Sequence, residues 1–173
     1  MSRGQAVIGL AVAGVALVVA GVALVLRDDA PPDTASSSLD RFGSVAVTIE
    51  PASGSARSSC MLAARTEAEH ARGLMEVTDP DLAGHDGMVF VYDEDTTGSF
   101  WMRNTPMALS IAYVDAGGRL VSTADMEPCR DSSQCPDYPA AGPYRYAVEV
   151  PRGRLDDLGI TASARLRVGG ACS

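Results

Sequence analysis

The sequence predicts a mainly β domain, a small antiparallel barrel-like or two-layer sheet with two short helices, preceded by one N-terminal transmembrane helix. Two observations lead to this prediction. Residues 6–26 form an uncharged apolar run. Beyond residue 44, short segments rich in Val, Ile, Tyr and Phe alternate with Gly, Pro and Asp, which is typical of strands joined by tight turns. We expect an anchor over 1–27, a linker over 28–43 and an extracytoplasmic β-rich domain over 44–173.

The apolar run is long enough to span a bilayer, because a transmembrane helix needs ~20 residues. A cleavable signal peptide has a shorter apolar region of roughly 7–15 residues and a small-residue cleavage site, and no convincing site follows Arg27. An uncleaved single-pass anchor in the cytoplasmic membrane is therefore favoured over a cleaved signal sequence. Arg3 precedes the run, whereas Asp28 and Asp29 follow it, which favours a cytoplasmic N-terminus and a C-terminal domain outside the cytoplasm.

Residues 28–43 are rich in Pro, Ser and Asp and cannot bury enough apolar surface to order themselves, so we expect a flexible tether. In the domain that follows, eight apolar or alternating runs predict strands. They are residues 44–50, 59–64, 87–92, 99–104, 108–115, 119–126, 144–150 and 164–169.

Turn and helix signals separate these strands. Gly117 and Gly118, between two of the runs, predict a hairpin turn. Thr66 stands three residues before Glu69, which is a capping-box pattern at the start of a short helix. A second short helix is predicted within residues 151–160, where Gly159 provides the stop signal.

Four cysteines, Cys60, Cys129, Cys135 and Cys172, all follow the apolar run. An even number in an oxidising compartment favours two disulfides. Cys129 and Cys135 flank a short loop and form the obvious local pair, which leaves Cys60 to meet Cys172. A four-thiolate zinc site, the alternative, requires close C-x-x-C pairs that the sequence does not contain.

The net charge of -8 excludes an obvious nucleic-acid partner, because no basic stripe is present to meet phosphates. We expect no cofactor. The remaining partners are the cytoplasmic membrane, reached through the N-terminal helix, and an unknown small molecule or envelope protein.

The segment "GSFWMRNTPMALSIAYVD" (98–115) contains the single tryptophan of the chain. A side-chain period of two places Trp101, Arg103 and Thr105 on one face of a strand and Asn104 on the other. Trp101 and Arg103 could stack, an arrangement that suits an anionic or planar ligand. Pro106 cannot donate to a sheet ladder, so a corner is expected there, and the alternative is that Trp101 simply fills the core.

Several segments, in the same order over residues 45 to 169, carry a family resemblance. "RGLM", "GMVFVY", "FWMRNTPMALSIAYVD", "MEPCRDSSQCPDY" and "YRYAVEVPRG" together resemble the uncharacterised bacterial and archaeal family called domain of unknown function 192. The resemblance implies a small β-rich, barrel-like fold that is often exported, and no established activity. The family pattern falls on Arg72, Gly73, Met75, Gly87, Met88, Phe90, Trp101, Met102, Asn104, Thr105, Glu149 and Gly153.

Two positions depart from the family pattern. Arg103 stands where many members have Lys, which keeps the charge. Ser110 stands where the family typically has Asp, so if that carboxylate acts as a catalytic base or metal ligand in the family, this protein lacks it. A hydroxyl can still exchange hydrogen bonds, so a binding or structural role at Ser110 survives.

Enzymatic chemistry has weak support in this sequence. No G-x-S-x-G or C-x-x-C motif is present, and His70 and His85 are isolated candidates for acid–base work. His85 with Asp79, Asp81 and Asp86 could bind a metal, although acidic loop residues are usually just solvated. Soft thioethers could bind Cu(I), and flexible core filling is the alternative for the motif methionines, which are Met75, Met88, Met102, Met107 and Met126.

The favoured interpretation is a non-enzymatic, membrane-anchored binding or accessory module with no catalytic and no metal-ligating residues. Its ligand would be a small polar or anionic envelope compound. The alternative is a scaffold for an envelope protein, in which Arg72 and Glu149 form an internal ion pair. The expected ligand-binding residues are Arg72, Trp101, Arg103, Asn104, Thr105, Ser110 and Glu149.

Overall fold

The computed structural model describes residues 39–172, which form a seven-stranded sheet, a two-stranded sheet and two short helices. The helices are α1 (Glu67–Arg72) and α2 (Arg154–Leu158), and a 3-10 turn spans Leu82–Gly84. The strands are β1 (Gly43–Glu50), β2 (Arg57–Ala64), β3 (Gly87–Thr96), β4 (Ser99–Trp101), β5 (Leu109–Val114), β6 (Leu120–Met126), β7 (Asp137–Pro139), β8 (Tyr144–Pro151) and β9 (Arg165–Val168).

The large sheet is mixed, with the order β6-β5-β8-β3-β2-β1-β9. All neighbours are antiparallel except β2 and β3, which run parallel from the Met61–Gly87 pair onward. The expectation of an all-antiparallel sheet is therefore wrong at this pairing. Parallel strands need a long crossover connection, and residues 65–86, which carry α1 and the 3-10 turn, provide it.

The two outer strands of the large sheet approach each other at one point. Arg119, just before β6, forms an isolated bridge with Arg165 of β9, and the Leu166 amide donates to the Gly118 carbonyl over 2.8 Å. A Cβ atom at Gly118 would collide with the Leu166 carbonyl oxygen, and the Gly118 φ of 79° is also one that glycine tolerates best. This turn therefore requires glycine.

The predicted elements are confirmed in type and order. Each of the eight predicted runs contains a strand, both helices are present, and the β5–β6 hairpin turns at Gly118. The capping box of α1 is complete, since the Glu69 amide donates to the Thr66 hydroxyl and the Thr66 amide donates to the Glu69 carboxylate. The short strand β7, which pairs with β4, was not predicted.

The large sheet separates two apolar clusters. On one face, Met88, Phe90, Ile111 and Tyr113 pack beneath the crossover and the β4–β7 pair, and we call this the aromatic face. The other face is aliphatic, and α2 covers it. Its buried core comprises Val45, Val47, Ile49, Met61, Val89, Val148, Val150, Leu155, Ile160 and Leu166, among others.

Both disulfides follow the expected pairing. Cys60 bonds Cys172 with a Cα–Cα distance of 5.3 Å, and Cys129 bonds Cys135 at 5.9 Å. Such bonds persist in oxidising compartments, which agrees with an extracytoplasmic domain. The predicted anchor and most of the predicted linker lie outside the described residues. Among residues 39–172, no helix is long and apolar enough to cross a membrane.

Candidate functional site

A cavity of about 260 Å³ opens on the aromatic face, between α1 and strands β3, β4 and β8. Trp101, the one large apolar side chain of the described residues that is strongly exposed, stands beside it with half of its surface in solvent. The cavity takes side chains from four separate parts of the chain. Those that matter most for its chemistry are His70, Arg72, Tyr92, Phe100, Trp101 and Glu149.

Glu149 contributes a carboxyl group to this cavity although it is only 4% exposed. It lies on β8 between Met88 of β3 and Ile111 of β5, both fully buried and apolar. Within residues 39–172, its carboxyl forms no hydrogen bond or ion pair, and its oxygens reach the cavity, because no fully enclosed polar side-chain atom there lacks a hydrogen-bond partner. Burial raises the pKa of Glu149 to about 8, so the group is largely a neutral acid at pH 7 and can donate a hydrogen bond.

Helix α1 provides a second wall through His70 and Arg72. The His70 Nε2 atom lies 3.1 Å from each of the carbonyl oxygens of Ala64 and Val91, so it carries the proton and donates to them. The Arg72 Nη2 atom lies 2.7 Å from the Glu76 carboxylate. The internal ion pair between Arg72 and Glu149, expected for a scaffold, is therefore wrong, because Glu76 one helical turn on is the partner of Arg72.

Aromatic rings form the rest of the wall. The rings of Phe90 and Phe100 meet edge to face at 4.8 Å, and His70 packs on Tyr92 at 4.4 Å. Burial raises the pKa of Tyr92, so its hydroxyl stays protonated at neutral pH. The ring of Tyr92 also meets that of Tyr144 edge to face at 5.6 Å. The cavity is thus bounded by aromatic rings, by the neutral acid Glu149 and by the ion-paired Arg72.

The segment around Trp101 follows the predicted alternation as far as Met102. Phe100 packs toward the core and Met102 is fully buried, whereas Trp101 points out. The Arg103 guanidinium carbon lies 5.7 Å from the centroid of the Trp101 ring, so the expected stacking is present. The Arg103 Nε atom donates to the Ser132 carbonyl over 3.1 Å. Arg103 therefore contacts the outer side of Trp101 and does not line the cavity.

The alternation ends at Asn104, whose φ of 52° turns the chain. The Asn104 carbonyl accepts from the Glu76 amide at 2.7 Å, which ties the β4 segment to the crossover. Asn104 lines a second, more open depression with Pro106 and the Cys129 disulfide. Thr105 is buried and lies between the two concavities, because it lines both.

Comparison with known proteins gives the family of the chain. Residues 47–168 match the model of DUF192, an uncharacterised family described as "Uncharacterized ACR". The chain belongs to the DUF192 family. No curated protein matches it.

Two crystal structures share the fold. One is a protein of unknown function from Novosphingobium aromaticivorans DSM 12444, with 31% identity over 71% of this chain and 84% of that one, and a TM-score of 0.59. The other is described as a candidate transcription regulator from Sinorhizobium meliloti 1021, with 24% identity over 73% of this chain and 95% of that one, and a TM-score of 0.60. The second likeness shows the fold alone.

The DUF192 motif residues gather at the cavity. Seven of the motif positions line it, and they are Arg72, Gly73, Met75, Phe90, Trp101, Thr105 and Glu149. Gly87 lies directly beneath, since a Cβ atom there would collide with the Glu149 carbonyl oxygen and lie 2.8 Å from Val150. The motif thus includes a glycine that lets β3 approach β8 closely where β8 carries Glu149.

Ser110 does not line this cavity. It lies on the opposite face of β5 from Ile111, the neighbour of Glu149, so the structure does not bring it together with the other predicted ligand-binding residues. The Ser110 hydroxyl donates to the Asp125 carboxylate over 2.5 Å and accepts from the Gly153 amide at 3.0 Å. Asp125 is the cross-strand partner of Ser110. Strand β6 therefore places a carboxylate beside Ser110, which has none of its own.

Tyr92 and Phe100 were missed as site residues. The signal for Tyr92 was present in β3, where the period of two places it on the face of Met88 and Phe90. For Phe100, the same period of two places it on the face opposite Trp101. His70 is a candidate for acid–base work in the sequence, and in the structure its Nε2 atom bonds the carbonyl oxygens of Ala64 and Val91.

The groups considered for metal binding have structural roles. His85 bonds the Ser44 hydroxyl at 2.8 Å, Asp86 accepts from Ser59, and Asp79 accepts from the amide of Ala83 in the 3-10 turn. Among the described residues, no group of three or more His, Cys, Asp or Glu side chains is arranged to bind a metal. The motif methionines are mostly core, since Met88, Met102 and Met126 are fully buried.

Proposed function

We propose that this DUF192 protein is a membrane-anchored extracytoplasmic binding module whose cavity holds a small polar ligand. The observation that carries the proposal is the combination of a half-exposed Trp101 beside the opening and a buried, unpaired Glu149 inside. Ligand sites are typically apolar concavities with a few convergent polar groups, and they contain titratable residues with shifted pKa values. The two disulfides support the extracytoplasmic location.

The size and charge of the cavity limit what it can take. Its volume of about 260 Å³ lies below the ~300–1,000 Å³ typical of ligand sites, which favours a small compound. Arg72 is already paired with Glu76, and Arg103 lies outside. An anionic ligand would therefore meet no unpaired cation among the lining residues. Of the two ligand classes expected from the sequence, we favour a polar compound over an anionic one.

The scaffold alternative receives less support. It requires Trp101 in the core, whereas half of this side chain is in solvent. A partner protein could still use the open depression at Asn104 and Pro106, which shares the lining residue Thr105 with the cavity.

The bridge between the Gly118 turn and β9 brings the two edges of the mixed sheet together at one point. This contact supports our proposal that the sheet is barrel-like.

The test is a ligand screen on the full-length chain in a non-ionic detergent. Sugars, polyols, amino acids, amines and small acids are added singly, and Trp101 fluorescence and the circular-dichroism Tm are read. We expect at least one class to change the fluorescence and to raise Tm, and Trp101→Ala to weaken that Tm response about tenfold or more in concentration.

Arg103→Gln is the matched control, because it changes the outer contact of Trp101 and leaves the cavity lining intact. Its Tm response should remain close to that of the wild type. An unchanged response in Trp101→Ala, or silence across the whole screen, would show that the cavity is not a ligand site.

A further inference from the structure

The lining of the cavity contains an acid without a counter-ion, enclosed by aromatic rings. We propose that the ligand is a small organic ammonium ion, for which Glu149 is the counter-ion and the rings of Tyr92, Phe100 and Trp101 are the walls. This inference rests on the proposed function and names the chemical class of its ligand. It goes beyond "small polar" by specifying a positive charge.

The first step is the position of the Glu149 carboxyl. Burying a carboxyl between Met88 and Ile111 is costly, and such groups are normally paired with a cation or hydrogen-bonded. Within the described residues Glu149 has neither kind of partner, yet it faces a cavity rather than closed core. A cationic ligand would provide the missing partner.

The second step is the set of charged and titratable groups around Glu149. From α1, Arg72 is ion-paired with Glu76 at 2.7 Å, and His70 donates its Nε2 proton to two backbone carbonyls. From β3 and β5, Tyr92 and Tyr113 keep their protons, because burial raises the pKa of both hydroxyls. None of these groups offers Glu149 an unpaired positive charge. The chain as a whole carries a net charge of -8, which attracts cations to its surface.

The third step is the aromatic wall. Trp, Tyr and Phe faces attract cations within ~6 Å of the ring centroid, and aromatic cages are the common way in which proteins hold quaternary ammonium groups. The outer contact of Trp101 already has this character, since the Arg103 guanidinium lies 5.7 Å from the ring centroid. Trp101 also lines the cavity, together with Tyr92 and Phe100, so the three rings are the aromatic groups that an ammonium ion would meet there.

The proposal predicts that ligand binding releases a proton and depends on pH. The neutral acid releases one proton when an ammonium ion binds, so the products are an ammonium–carboxylate pair and one free proton. The apparent affinity should therefore rise about tenfold per pH unit below the pKa of Glu149, which is about 8, and level off above it. A neutral polyol would instead bind the protonated acid with no proton release, and its affinity would fall above that pH.

The experiment compares choline with 3,3-dimethylbutan-1-ol, its uncharged carbon isostere, on the full-length chain in non-ionic detergent and amine-free buffer. Binding is followed by Trp101 fluorescence at pH 6, 7, 8 and 9, and proton release is measured in weakly buffered solution. Methyl α-glucoside is the neutral polyol probe. We expect choline to bind at least ~tenfold more tightly than the isostere at pH 8. Because the pKa of Glu149 is about 8, proton release should be close to one at pH 6, about half a proton at pH 8 and small at pH 9.

Glu149→Gln should lose the proton release and the pH dependence, and Glu50→Gln, on β1 away from the cavity, should keep both. Equal binding of choline and its isostere, or choline binding at pH 6 or 7 without proton release, overturns the inference and needs no variant to show it. Binding of the glucoside alone overturns the ammonium ligand and retains the proposed function. If choline, the glucoside and the wider screen are all silent, both are lost.

Discussion

At the scale of single residues, Glu149 concentrates the chemistry of the domain. Its neighbours in β8, Val148 and Val150, pack on the aliphatic face, and the period of two turns Glu149 toward the aromatic face. Alternation alone would place such a glutamate in solvent. Its burial arises from strands β3 and β5, which are distant in sequence and flank it with apolar side chains.

This burial predicts a pH-dependent stability. The pKa of Glu149 is raised from its ordinary value of 4.5 to about 8 in the fold, so the folded state retains a proton that the unfolded state loses between these values. Stability contributed by this group is complete below pH 4.5 and falls by up to ~1.4 kcal/mol per pH unit until about pH 8. In urea unfolding, Glu149→Gln should therefore become progressively more stable, relative to the wild type, as pH rises from 5 to 8.

The difference between the two proteins isolates Glu149 from other titrating groups. Glu50→Gln serves as control, and its difference from the wild type should stay flat over the same range. A constant difference between Glu149→Gln and the wild type from pH 5 to 8 would mean that the Glu149 carboxyl has an ordinary pKa and is solvated.

At the scale of elements, α1 shows how a very short helix can be held in place. Six residues are too few for an isolated helix in water, so its ends must be satisfied. The Thr66 hydroxyl accepts from the Glu69 amide, and the Glu69 carboxylate accepts from the Thr66 amide. Hydrogen bonds from the backbone amides of Arg65 and Thr66 lower the pKa of the Glu69 carboxyl. The same helix carries His70 and Arg72, so its cap also positions one wall of the cavity.

Thr66→Ala should lower the free energy of unfolding by about 1 kcal/mol, because it removes the hydroxyl that accepts from the Glu69 amide. It should also weaken ligand binding through the looser wall. Urea unfolding measures the first effect and Trp101 fluorescence titration the second. Thr78→Ala, an exposed threonine of the same crossover, is the control and should change neither quantity. Equal effects in both variants would show that the capping hydrogen bond of Thr66 does not account for the changes.

Local elements were predictable to the extent that their signals are local. The capping box, the Gly118 turn and the alternating strands are written in neighbouring residues, and all are present. The parallel pairing of β2 with β3 was not predictable from these signals, because periodicity reports which face a residue occupies and not which direction its partner runs. Ser110 was expected in the site from the family resemblance, and it lies on the opposite face of β5 from Ile111.

At the scale of the whole domain, the two disulfides restrain very different lengths of chain. Cys60 and Cys172 are 112 residues apart and join β2 to the segment after β9, whereas Cys129 and Cys135 are 6 apart and close one loop. The cysteine count and the compartment made two bonds predictable, and the short spacing of one pair determined the other. The cavity itself was not predictable, because its lining comes together only when the sheet forms.

Removal of the long-range bond should cost more stability than removal of the local one. Chain-entropy arguments give about 5 kcal/mol for a loop of the larger size and about 2 kcal/mol for the smaller. Urea unfolding of the Cys60→Ser/Cys172→Ser and Cys129→Ser/Cys135→Ser proteins measures both losses. Thiol titration of the unreduced, denatured wild type should detect no free thiol. Four free thiols would refute the pairing, and equal losses would refute the entropic ranking.

The one parallel pairing in the sheet has a consequence for how this architecture can vary. Because β2 and β3 run in the same direction, the chain must return across the aromatic face, and residues 65–86 make that return. This returning segment forms one side of the cavity, but it forms no strand of the large sheet. Exposed positions of this segment can therefore change without shifting any strand register, whereas Leu74, Val77 and Leu82 belong to the buried core, so related chains can differ beside the cavity on an unchanged sheet.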